Sequence, residues 1–210
     1  MAGERAPKAV SLAVVVVLAA VCLASWAVWG KPVPAAAWHV PPTGEAGRIA
    51  GDPLVLALAD PGGRPGFNPD VRHFGDVADL KFLHHNEIAA VEEEGAGAAR
   101  FAQATDHPAG RVLVFVVRMA DRDAARRAAD RLDELQLAFG LERRGGVAGV
   151  ERVVGTPAAA DDTSARPTAR AHYTHDDLLV RLQTDAGAPE ALDRFADVVA
   201  RQVKALPADG

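Results

Sequence analysis

The chain is nearly without cysteine. Cys22 is the only one among 210 residues, and it lies inside an apolar run, so the remainder of the chain can form no disulfide of its own. A basic excess is missing too. The net charge is −5 and the pI about 5.8, with no stripe of Lys and Arg. That argues against binding a phosphate backbone, so no nucleic-acid partner is expected. Reactive-site signatures are also lacking: there is no HExxH helix, GxSxG nucleophile elbow, phosphate loop or dinucleotide glycine turn. These absences predict a protein that is not an enzyme, with no catalytic residues, no metal ligand set and no cofactor.

The most informative feature present is at the start. From Ala9 to Trp29 the sequence AVSLAVVVVLAAVCLASWAVW carries no charge. As a helix it is about 31 Å long, close to the thickness of a bilayer core. Arg5 and Lys8 precede it, opposed only by Glu4, and Trp26 and Trp29 sit at its far end. Basic flanks stay cytoplasmic and indoles favour the headgroup boundary. The expected organisation is a cytoplasmic tail (1–8), a transmembrane signal anchor (9–29), a Pro-rich extracytoplasmic linker (30–52) and an extracytoplasmic domain (53–207). The competing expectation is a cleaved signal and a secreted protein, with small-residue sites at Ser25-Trp26-Ala27 and Ala35-Ala36-Ala37. Cys22 lacks a lipobox around it and reads as a small apolar residue.

Pro32, Pro34, Pro41 and Pro42 give the linker extended geometry. Beyond it the chain predicts an α+β domain: an antiparallel sheet with helices packed on one face. Pro53–Ala59 reads as a strand or buried turn, Asp60–Asp70 as a loop, and Asp76–His85 as a short helix. A tandem βββα duplication then suggests itself. Its first unit has strands over 86–94, 98–105 and 111–120 and a helix over 121–139. Its second has strands over 149–156, 168–175 and 178–184 and a helix over 189–206. Val117-Arg118 and Asp130-Arg131-Leu132 match Val180-Arg181 and Asp193-Arg194-Phe195 at one offset. Residues 86–94 also suit an extension of the preceding helix. The run VLVFVV suits a central strand buried on both faces, and Asp176-Asp177 a tight hairpin. Asp121 suits the N-cap of the first long helix, with Ala128, Leu132, Leu135 and Phe139 on its apolar face and Gly140 after its end. In the second, Pro189 suits the first turn, and Leu192, Phe195, Val199, Val203 and Leu206 form the stripe.

Several groups invite a chemical reading and are better read blandly. His84-His85 with Glu87, and His172 with His175, resemble metal spacing but lack further ligands, and 172 and 175 would face opposite sides of a strand. Ser164, Thr163 and Asp161-Asp162 lie in a polar loop, Arg143-Arg144-Gly145-Gly146 in a turn, and Glu92-Glu93-Glu94 on a wet surface. The expectation is a membrane-anchored, non-catalytic binding or sensing module of a bacterial envelope. Its partners would be the membrane, through one helix, and an envelope protein or small-molecule ligand. A small-molecule or haem-type pocket in a ferredoxin-like domain, with or without enzymatic activity, is the second expectation.

Overall fold

A computed structural model describes Leu18 and residues 52–157, 166–186 and 193–209. The tail, the linker up to Gly51 and, apart from Leu18, the 9–29 span lie outside the described residues, as do Cys22, Trp38, 161–164, Pro189 and Leu192. Among the described residues no helix is long and apolar enough to cross a membrane.

The domain is α+β, built on a seven-stranded antiparallel sheet of order β1-β2-β3-β7-β6-β5-β4. The strands are β1 (Arg64–Phe67), β2 (Ala99–His107), β3 (Gly110–Arg118), β4 (Glu142–Arg143), β5 (Arg152–Gly155), β6 (Thr168–His175) and β7 (Leu178–Asp185). The helices are α1 (Pro53–Leu56), α2 (Phe74–Asp79), α3 (His85–Glu92), α4 (Arg122–Ala138) and α5 (Phe195–Ala205). Two meanders, β1–β2–β3 and β4–β5–β6–β7, meet along β3 and β7, where Val114 faces Leu182 and Val116 faces Val180.

Residues 112–117 are all buried, as a strand with apolar residues on both faces requires. Val112, Val114 and Val116 enter a core with Leu54, Tyr173, Leu182, Phe195 and Val199. Leu113, Phe115 and Val117 enter a second core with Phe74, Val91, Ala128 and Leu132. Helices therefore cover both faces, α1 and α5 on one and α2, α3 and α4 on the other. The expectation of helices on one face is corrected, and with it the ferredoxin-like analogy. The cause lies in β3 itself: a strand apolar on both sides has to be shielded from water on both sides.

The duplication fails for a related reason. A two-fold axis relating two antiparallel neighbours stands perpendicular to the sheet and keeps equivalent helices on one face. Yet Leu132 of α4 and Phe195 of α5, both buried, belong to opposite cores. Nor are 86–94 a strand. His84 N-caps α3, its Nδ1 accepting from Asn86 N–H at 3.3 Å, and Glu87 Oε2 accepts from His84 N–H at 2.7 Å. These reciprocal bonds close a capping box. Asp52 caps α1 in the same way through Leu54 N–H at 3.0 Å, so Pro53–Ala59 opens as a helical turn. The 60–70 loop contains the short edge strand β1, paired to β2. The helix expected over 76–85 begins at Phe74 and ends at Asp79, followed by Lys81 in the left-handed region at φ 60°.

Other elements fall where expected. Asp121 caps α4 through Ala124 N–H at 2.7 Å, and Gly140 follows at φ 86°. The hairpin between β6 and β7 turns on Asp176-Asp177, with Asp176 at φ 49°. The apolar face of α4 is rotated from the expected one. Its buried residues include Ala125, Ala129, Asp133 and Gln136, while Phe139 is 42% exposed.

Candidate functional site

Beneath α3 and α4 the sheet presents charge. β7 alternates, so Leu178, Val180 and Leu182 enter one core while Arg181 and Gln183 face the other side. Arg170 and His172 of β6 pair with Gln183 and Arg181 across the strands and share that face. Glu87 comes down from α3 and Gln136 from α4. Glu87 and Arg181 are each 1% exposed, with Arg181 Nη1 donating to Glu87 Oε1 at 2.5 Å. The same oxygen accepts from Gln136 Nε2 at 2.7 Å and faces Arg170 Nη1 at 3.5 Å. Gln136 Oε1 accepts from Arg170 Nη1, and Arg181 Nη2 donates to Gln183 Oε1 at 3.1 Å. One carboxylate thus gathers two guanidiniums and an amide, joining two helices to two strands.

The electrostatics follow from that burial. Desolvation pushes the Glu87 carboxyl up, but Arg181, Arg170 and the His84 N–H outweigh it and hold it below its ordinary value. Desolvation pulls Arg181 down to about 10, with Glu87 opposing. His172, fully buried, is pushed well below its ordinary value by desolvation and then by Arg181, Arg170, Arg152 and Arg143. Among the described residues neither of its ring nitrogens has a hydrogen-bond partner, and the same holds for Nε of Arg170 and of Arg181. Asp133, nearly buried on α4, takes a two-pronged bond from Arg143, with Nη1 at 2.9 Å from Oδ1. Arg152 reaches Asp130 at 2.6 Å.

Above this layer α3 and α4 leave a groove of about 400 Å³, lined by Asn86, Ala89, Glu93, Arg131, Glu134, Leu135 and Ala138. Leu137 and Phe139, 38% and 42% exposed, stand on the same end of α4. The Phe139 ring meets His84 edge-on at 5.1 Å, and His84 lies 3.9 Å from His85.

The histidine groups singled out in the sequence do not come together as ligands. His84 and Glu87 serve a helix cap. His172 is buried under α4, while His175, with its Nδ1 2.7 Å from Pro207 O, lies at the strand's end on the other side. Among the described residues no three His, Cys, Asp or Glu are placed to hold a metal. Arg143 and Arg144 are structural, Arg144 donating to Thr156 O at 2.6 Å. The glutamate run is more than a wet surface: Glu93 and Glu94 bind Arg131 and Arg127 of α4 at 2.6 and 2.8 Å. The reading of the sequence missed Arg181, Arg170 and Gln136. Only Arg181 had a signal, an Arg two before Gln183 in the apolar run LLVRLQT, on one face of a strand buried on both; Arg170 and Gln136 had none.

No protein-family model matches the chain, and no curated protein resembles it significantly in sequence.

Proposed function

We propose that this chain is a single-pass protein of a bacterial envelope, N-terminus inside, that holds its α+β domain outside on the Pro-rich segment 30–52. The domain works as a non-catalytic binding or sensing module for an envelope protein or small ligand. The observation that carries the binding role is the α3–α4 groove. Its two walls are joined from beneath by the Glu87–Gln136 bond and tied at the side by Glu93–Arg131 and Glu94–Arg127, so it is a preformed rather than an induced concavity. Beside it Phe139 packs on His84 and His84 on His85, an aromatic cluster next to charged walls of the kind that anchors a partner. The membrane role draws on the charge-free run 9–29 and the basic residues before it.

Two measurements test this. Protease added to intact protoplasts should digest the domain and spare a short anchored stub; protection until lysis overturns the topology. A mature N-terminus at Val28 or Trp38 with the protein in the medium would establish cleavage instead. A photo-crosslinking residue at Ala89 in living cells should give a discrete adduct, and one at Thr105 in the β2–β3 hairpin should not. Equal labelling at both, or none at either, removes the groove from the function.

A further inference from the structure

A second concavity lies at the other core's edge, where the N-terminal half of α5 meets the β2–β3 hairpin and the loop before β1. It measures about 240 Å³ and is lined by Gly63, His107, Pro108, Arg194, Asp197 and Arg201. Arg194 and Arg201 stand three before and four after Asp197 on the helix, the spacings at which ion pairs form. Neither forms one: among the described residues no acidic oxygen comes within 4 Å of either guanidinium. Arg201 turns instead over the loop. A Cβ placed on Gly62, at φ 85°, would meet Arg201 Nη1 at 2.5 Å and His107 Nε2 at 3.5 Å. Both groups therefore converge on one point above a residue with no side chain.

The ring edge that His107 turns toward Gly62 carries Nε2 together with Cδ2, the latter 3.4 Å from a Cβ placed there. The ring's Nδ1 accepts from Ala109 N–H at 3.0 Å, which places the proton of the neutral ring on Nε2. Partial burial and then Arg201 keep His107 below its ordinary pKa, so it is neutral at pH 7. Asp60, in the loop before β1, accepts from Gly62 N–H at 2.8 Å and is not among the cavity's lining residues. Two guanidiniums of one helix and a neutral imidazole from the facing hairpin line the cavity, with Asp197 as the one acidic residue of its lining. An anion with oxygens pointing several ways satisfies such donors better than a planar carboxylate does.

We propose that this pocket binds a phosphate-type tetrahedral oxyanion, free or as the terminal group of a monoester, held by Arg201, Arg194 and His107 Nε2–H. The proposal stands independently of the groove and of the topology above. The test is calorimetric titration of the full chain in detergent micelles with inorganic phosphate, with glycerol phosphate and with acetate. His107 ring resonances are followed in parallel. Saturable binding of phosphate or its monoester that shifts the His107 signals, falls about tenfold or more in Arg201→Gln and in Arg194→Gln, and persists in Lys204→Gln supports the site. The tighter of the two phosphates tells free ion from ester. No saturable binding of either, unchanged binding in Arg201→Gln, or acetate bound as tightly as phosphate overturns it. These side chains are exposed, so unchanged far-ultraviolet dichroism of the variants separates lost binding from lost fold.

Discussion

The two faces of the sheet hold their helices by different chemistry. Under α1 and α5 the contacts are apolar, and the few polar groups are neutral and matched. Gln202 bridges Ala59 N–H at 2.8 Å and Ala57 O at 2.7 Å, and the Tyr173 hydroxyl donates to Leu206 O at 2.9 Å. Under α3 and α4 the apolar contacts surround ionised groups centred on Glu87, Arg181 and Arg170. The first face gains chiefly from area removed from water, and its buried interior holds no charge. The second depends on charges that remain worthwhile only while each keeps its counter-ion. The contrast teaches that one sheet can carry a permissive side and an exacting side.

Breaking the ion layer on one side should give the largest effect. Arg181→Met leaves Glu87 buried with Arg170 as its remaining guanidinium, and should cost about 3–5 kcal/mol in urea unfolding followed by circular dichroism. Pairing it with Glu87→Met should recover part of that loss, because the fully buried carboxylate goes with its partner, while Arg170, less buried, keeps Gln136 Oε1 as acceptor. If the double variant is no better than the single one, the pair is not the reason the face is exacting.

Truncations in the two cores sharpen the comparison from the other side. Phe195→Ala and Leu132→Ala each empty a fully packed position, in opposite cores, and should each cost about 2–5 kcal/mol. The two losses should add, since the sites share no neighbours. Strong non-additivity would mean that the sheet transmits strain between its faces.

The smallest effect belongs to His172, and it has a definite sign. Its folded-state pKa is depressed well below 6.5, so the unfolded chain takes up a proton that the folded chain refuses. Stability is therefore full above about pH 6.5 and declines as the pH falls below it, by at most about 1.4 kcal/mol per unit. His172→Leu should flatten much of that decline between pH 6.5 and 5, where His107, also lowered by burial, acts with the same sign. At pH 7.5 it should be neutral or stabilising, because it removes two ring nitrogens without partners. A slope unchanged in His172→Leu would mean that another group senses the proton.

The central strands were legible because their signals are local: the VLVFVV run, the Asp176-Asp177 turn and the Asp121 cap each act within a few residues. Layering was legible in principle, since β3 already asked for cover on both sides, but a repeat built on sparse identities outweighed it. Residues 86–94 went wrong in the same way. His84 followed three residues later by Glu87 is a capping box, and Ala90 and Val91 give it a buried side, yet the repeat favoured a strand. The ion layer was hidden for a deeper reason. Arg170, Arg181, Gln136 and Glu87 come from four elements, up to 94 residues apart, and no spacing along the chain records that they meet.

The seam between the meanders has a kinetic consequence. β2–β3 and β6–β7 close through tight hairpins, β1 and β2 join residues about 35–41 positions apart, and β3 and β7 join residues about 60–75 positions apart. That seam is the longest closure between paired strands of the sheet, although closure entropy grows only slowly with length. The two tight hairpins are expected to order first, and the pairing of Val114 with Leu182 to follow. Until it forms, the two most apolar strands of the protein present open edges to whatever chain is near.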